Sequence, residues 1–261
     1  MPTRRHFTLL PQIRKLLLSS CLGFLLLFGP AIGKSIMVCA AELTLDDRSN
    51  QGLKIAPSWE VETALIKKHS HQILTDLNNA IQAHPDLGDN YFRRAFIYLQ
   101  LKKYKQALQD CDQAMRLGVD HANIHTLKGE ILFAQKKYNE ALVEADKSLT
   151  LNKNSARAYA LLAEINNELK EYAKALQNSS KAIDLDPCNA RYYEIGADLA
   201  YKVEQYSRCI KNANRAIELN PQSQKAYLIR SKADFAINDP KQAKSDKIKA
   251  NELAKDITKL N

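Results

Sequence analysis

The feature that most constrains this chain is a 34-residue period. Ala95, Gly129, Ala163, Ala197 and Ser231 fall in one column, each a step of 34 from the last. The same register aligns Tyr104, Tyr138, Tyr172 and Tyr206, and also Ala107, Ala141, Ala175, Cys209 and Ala243. Further columns hold Ala114, Ser148, Ala182, Ala216 and Ala250; Leu117, Leu151, Leu185, Leu219 and Leu253; and Tyr91, His125, Tyr159, Tyr193 and Tyr227. No insertion or deletion interrupts the five units 88–121, 122–155, 156–189, 190–223 and 224–257. A fixed period of this size is the signature of a stacked-repeat architecture.

Within each unit the apolar spacing is helical twice over. In 156–189, Tyr159, Leu162, Ala163 and Asn166 mark one face of a first helix, and Tyr172, Ala175, Leu176, Ser179, Ala182 and Ile183 mark a second. Pro187 and Pro221 end second helices, because the proline ring cannot continue the backbone ladder. Small residues in the Ala95 and Ala107 columns let two helices approach closely while large neighbours fill the grooves. Eight Gly and eight Pro in 261 residues are too few for a hairpin-rich β fold.

The pattern of aromatic, small, Tyr, Ala and terminal Pro at this spacing resembles the tetratricopeptide repeat family. The resemblance implies an all-α, right-handed α-α superhelix of five clear helix–turn–helix repeats. Val119, Lys153 and Lys255 replace the terminal Pro in three units, and Arg94, Lys128 and Arg230 take the place of the family's Leu. Upstream, 57–87 reads as a degenerate sixth helix–turn–helix unit, since Ala80, Ile81 and Pro85 keep the register while Val61 and Ile73 occupy small-residue columns. Residues 41–56 read as a linker and 258–261 as a C-terminal tail. Lys244, Lys247 and Asn251 stand where an earlier second helix has Leu176, Ser179 and Ile183, so the last unit reads as a cap with its Lys-rich face to water. An acidic partner or anionic lipid is the other reading of that face.

By the same resemblance, first helices line a concave groove that grips a partner peptide or helix. Carried over by column, the groove comprises Phe92, Phe96, Glu130, Phe133, Arg157, Glu164, Asn167, Arg191, Glu194, Asp198, Tyr201, Lys225 and Lys232, with Leu99, Leu228 and Phe235 beside them. Glu130, Glu164 and Asp198 form an acidic column; Arg157, Arg191 and Lys225 form a basic one. Either these charges bridge neighbouring repeats, or they orient a ligand carrying both signs. Phe92 and Phe96 read as core under the N-terminal unit or as an open apolar patch. The carboxylate clamp of chaperone-tail binders is not expected, because Phe92, Phe96, Leu127, Arg157 and Leu161 retain only one of its basic residues.

Net charge is +9, but residues 1–40 contribute five basic and no acidic residues, leaving 33 Lys+Arg against 29 Asp+Glu beyond them. The body therefore has no strong field for phosphate backbones, and no nucleic-acid partner is expected. Arg4 to Lys15 precede the apolar run Leu16–Phe28 and then Gly29-Pro30, a charged region followed by an apolar one of signal-peptide length. Residues 1–40 thus read as a cleaved export signal or, through 16–32, as a membrane anchor, with organelle import or a buried cytosolic helix the remaining options.

Catalytic signatures are absent: the chain has no phosphate-binding Gly loop, no nucleophile elbow and no paired-Cys metal spacing. His121 and His125 are four apart, but His125 fills the aromatic packing column and is read as structural. Cys111 and Cys209 sit in packing columns, Cys188 sits in a link, and nothing suggests a disulfide framework. The expectation is a non-enzymatic interaction scaffold without metal or cofactor, exported or membrane-tethered, with a protein partner. An N-terminally anchored docking receptor or co-chaperone for protein import or assembly is the alternative, and an enzyme with an unrecognised site the remote one.

Overall fold

A computed structural model describes residues 59–259, with side chains over 70–254; the leader, the linker and the tail residues 260–261 lie outside this range. The described residues form eleven helices and no strand. After α1 (Trp59–Ala83) come five pairs: α2 (Gly88–Gln100) with α3 (Tyr104–Arg116), α4 (Ala122–Ala134) with α5 (Tyr138–Leu151), α6 (Ala156–Glu168) with α7 (Tyr172–Leu185), α8 (Ala190–Lys202) with α9 (Tyr206–Leu219), and α10 (Gln224–Ala236) with α11 (Pro240–Lys259). Each pair packs on itself and on the next, which makes the chain an α-α solenoid. Successive first helices also touch one another, so they line the inner side of the stack.

One turn recurs inside every pair. Lys102, Lys136, Lys170, Glu204 and Asn238 have φ between 58° and 65°, the left-handed region usually given to glycine. At the first of them, the Lys102 N–H donates to Leu99 O (2.9 Å) and the Lys103 N–H to Tyr98 O (2.8 Å). Two orphan carbonyls at the helix end are thereby satisfied, and the chain reverses direction in two residues. Links between pairs use side chains instead. Asn152 and Asn220 accept backbone N–H groups two residues on, and Ser155 and Ser223 cap the following first helices.

The small columns form the seams of the core. Ala95, Ala107, Ala114, Ala141, Ala163, Ala175, Ala197 and Ala216 are all at most 1% exposed. Gly129 shows why size is limited there: a Cβ on it would lie 2.8 Å from Leu161 Cδ2. Cys111 and Cys209 are free and fully buried, in line with a packing role. Cys188, by contrast, is disulfide-bonded, contrary to the expectation of no such framework.

Residues 57–87 do not form a helix–turn–helix. One uninterrupted helix, α1, runs through the place where the turn was expected. The column of left-handed residues passes through Lys68, within α1, and no Gly or Pro lies between Trp59 and Ala83 to stop the helix. Val61 and Ile73 stand where the other units place small residues, so a folded-back pair would lack its seam. The C-terminal half of α1 nonetheless occupies a second-helix place. Arg94 donates to Asn78 Oδ1 (2.8 Å) and through Nε and Nη2 to both oxygens of Asp110 (2.7 Å each). Arg230 repeats the arrangement with Asn214 and Asp246, all three bonds at 2.7 Å. Asn78 and Asn214 are equivalent positions four periods apart.

Candidate interaction surface

The inner side of the stack is built from α2, α4, α6, α8 and α10, and its charges are largely spent on each other. Arg157 donates through Nε and Nη2 to the two oxygens of Glu130, at 2.7 and 2.5 Å. One repeat later Arg191 donates to Glu164 Oε2 at 2.9 Å. Each bond joins a first helix to the first helix after it, a spacing of 27 residues. The charge of Glu164, acting against burial, raises the Arg191 pKa above its ordinary value. At Arg157 burial lowers the pKa, and the charge and hydrogen bond of Glu130 outweigh it. These two rungs are structural ties between repeats rather than free ligand groups.

The third rung is open. Asp198 turns to Lys202 within its own helix (3.4 Å), and Lys202 also donates to Asn167 Oδ1 (2.9 Å). Lys225, which corresponds to Arg157 and Arg191, is exposed and forms no ion pair among the described residues. Lys232, in the column of Glu130 and Glu164, is likewise exposed.

Glu194 is a correction. It is only 4% exposed and accepts a 2.5 Å hydrogen bond from Ser223, the N-cap of α10, so it locks two repeats and does not face the groove. Carrying the groove over by repeat column had put it on the surface, whereas Ile195 beside it is buried as well. The aromatic residues divide by position. Phe92 and Phe96 are half-buried against the first core cluster; Phe92 meets His121 edge-on at 5.2 Å, and the Arg157 guanidinium lies 5.7 Å from the Phe96 ring centroid. Phe133 packs on Tyr138 and Tyr201 on Tyr206, with ring centroids 5.7 and 5.8 Å apart. Phe235 is 74% exposed.

His125 is buried as its column requires, with Nδ1 2.7 Å from Glu144 and Nε2 3.0 Å from Asp120. Burial works to raise the Glu144 pKa, but hydrogen bonds from His125 and Lys147 outweigh it and the carboxyl is held below its usual range. His121 faces Phe92 instead, and among the described residues no group of three His, Cys, Asp or Glu is placed to hold a metal. The residues sequence reasoning missed are the acidic partners of the basic first helices. Arg94 with Asp110, Arg230 with Asp246 and Lys128 with Asp112 (2.8 Å) explain why cations stand where the family has Leu. A signal existed: Arg94–Asp110 and Arg230–Asp246 share a separation of 16.

A tetratricopeptide repeat model matches residues 156–188, the stretch holding α6 and α7. The chain is a tetratricopeptide repeat protein. A model described as anaphase-promoting complex, cyclosome, subunit 3 matches residues 77–148. No curated protein matches the chain in sequence. Among solved structures, the repeats are similar in fold to three proteins. Cut9, solved with Hcn1 as a hetero-tetramer of the anaphase-promoting complex, superposes with TM-score 0.68 at 13% identity, over 75% of this chain and 39% of that one. For pilF of Pseudomonas aeruginosa the values are 0.60 and 20%, over 72% of this chain and 86% of that one. For a tetratricopeptide repeat protein of Parabacteroides merdae ATCC 43184 they are 0.59 and 21%, over 76% and 79%. Tetratricopeptide repeats serve as protein-interaction scaffolds, and the family is generally non-enzymatic.

Proposed function

We propose that the protein holds a segment of a partner protein along the inner side of its C-terminal repeats, and that it acts without catalysis. The observation that supports this is the contrast between the closed rungs Glu130–Arg157 and Glu164–Arg191 and the open third rung. Around the open rung Asn167, Asp198, Tyr201 and Lys225 lie on successive first helices, with polar groups and one half-buried ring within reach of an extended chain. A ligand carrying both charges meets there an exposed Lys225 and an Asp198 held only by a partly exposed pair within its own helix, and charges tied across repeats further up the groove. The test is site-specific photo-crosslinking in the native cell. A photoreactive residue at Asn167 or Lys225 should give defined adducts with one protein, and the same residue on the outer side at Lys181 should not. Adducts from Lys181 and none from the inner positions would remove the groove.

The site of action is proposed from residues 1–40 alone: an exported or membrane-tethered solenoid. Among the described residues no helix is long and apolar enough to cross a membrane, and 16–32 lie outside them. N-terminal sequencing of the protein from soluble and membrane fractions separates the two. A new terminus near Lys34 or Ala41 in the soluble fraction means export, and an intact Met1 in the membrane fraction means an anchor.

A further inference from the structure

Where the first helix of one repeat packs on the helix pair before it, three kinds of contact tie the repeats, each present at some of the internal junctions. An acidic residue receives a cation from the incoming helix, as Glu130 receives Arg157 and Glu164 receives Arg191. At two of these junctions an aromatic ring at the end of the earlier first helix is half-buried on the shared core, Phe133 on the cluster that holds Leu161, Leu162 and Ile165, and Tyr201 on the one that holds Ile229 and Ala233, while Asn167 stands between them in the same column. The incoming helix is also capped by a side chain of the link before it.

The last pair carries the same positions with altered chemistry. Phe235 stands in the column of Phe133 and Tyr201, yet it is 74% exposed, and Ile237 beside it is 50% exposed. Pro240 replaces the tyrosine on which Phe133 and Tyr201 stack, so Phe235 has no ring partner among the described residues. Lys232 stands in the column of Glu130 and Glu164, so the sign of the receiving charge is inverted. Among the described residues nothing covers Phe235 and Ile237, and α11 runs on as helix for 20 residues where the other second helices stop at 13 or 14.

We propose that this face of α10 binds an acidic amphipathic helix of a partner protein, seated where the first helix of a further repeat would pack. The incoming helix sets an apolar side chain over Phe235 and Ile237 and a carboxylate against Lys232, the reverse of the Arg-to-Glu contact inside the solenoid. A second copy of the chain fits poorly, since its matching face would bring Lys232 and Lys225 against their own equivalents. The site is separate from the open rung, so variants at Asn167 leave it intact.

The experiment uses the full chain and two labelled amphipathic peptides about five helical turns long. Both have leucine on one face; one carries glutamate on its flanks and the other lysine. Fluorescence anisotropy should show the glutamate peptide binding about tenfold tighter than the lysine peptide. Lys232→Glu should reverse that order. Phe235→Ala should weaken the glutamate peptide by about tenfold or more while helicity and melting stay unchanged. Three results overturn the proposal: equal binding of the two peptides, glutamate-peptide binding indifferent to Phe235→Ala, or a Phe235-dependent dimer in sedimentation. Binding to phosphatidylserine vesicles that is lost in Phe235→Ala, with no peptide binding, would assign the face to a membrane instead.

Discussion

At the scale of single residues, the buried ionisable groups act in opposite directions. Asp234 is 4% exposed, and its Oδ2 has no hydrogen-bond partner. Burial first, and then the charge of Asp246, raise its pKa above the ordinary carboxylate value. A carboxyl whose folded pKa is raised stabilises the fold at low pH, and that contribution is lost as the pH rises through the folded value. At neutral pH it is therefore a cost, and Asp234→Asn should raise the melting temperature by a few degrees at pH 7. The gain should vanish when melting is repeated at pH 3, and an unchanged gain there would show that the charge is not its origin. Arg230 is the converse. It satisfies both oxygens of Asp246, a residue 2% exposed, so Arg230→Ala strands a buried carboxylate and should cost about 3 kcal/mol in urea unfolding. Adding Asp246→Ala should recover part of that loss, because the orphaned charge is then gone.

At the scale of elements, the helices are stopped and joined by a few backbone devices. Lysine at φ 62° in the turn after α6 is sterically disfavoured, whereas glycine adopts that conformation freely. Lys170→Gly should stabilise by about 0.5–1 kcal/mol, the relief of strain exceeding the added freedom of the unfolded chain. A loss of stability would mean that the turn is held by contacts of the lysine stem. Ser223 does two things at once, capping α10 through the Ala226 N–H at 3.1 Å and donating to buried Glu194. Ser223→Ala should therefore cost more than an ordinary cap, about 2 kcal/mol or above, with Ser155→Ala as the comparison because Ser155 caps α6 through the Ala158 N–H. Equal losses at the two sites would show that the Glu194 bond contributes nothing.

At the scale of the whole molecule, each pair contacts its neighbours along the chain, so stability is local and graded. Cys111 and Cys209 report on the two halves. Burial pushes both thiols up to about 12, so neither should react with iodoacetamide at pH 8 in the folded protein. In rising urea Cys209 should label before Cys111. It lies next to the pair that carries the unsatisfied Asp234 and the exposed Phe235, whereas Cys111 belongs to a pair covered on both sides, α1 packing on α2 and α4 on α3. Simultaneous labelling would mean that the solenoid unfolds as one unit.

Much of this architecture was legible in the residues. Period, helix pairing and the small seams follow from steric columns that any helix stack must obey, and they can be read without knowing what packs on what. The 57–87 unit was legible only in half: its register predicts the second-helix place that Asn78 confirms, but a turn depends on seams and stop signals that the stretch lacks. What the sequence by itself determined is thus the repeat, its frame and the list of groups on each column. Tertiary structure decided which of those groups remain free, because charges 16 or 27 residues apart pair or miss each other according to distances of an ångström or two. Glu130 and Asp198 sit in one column, yet the first is tied to Arg157 and the second turns to Lys202. Glu194 is hidden by Ser223 at the start of the next repeat, and Phe235 is bare because no described residue covers its ring. Period is a property of the chain, and the freedom of a side chain is a property of its neighbours.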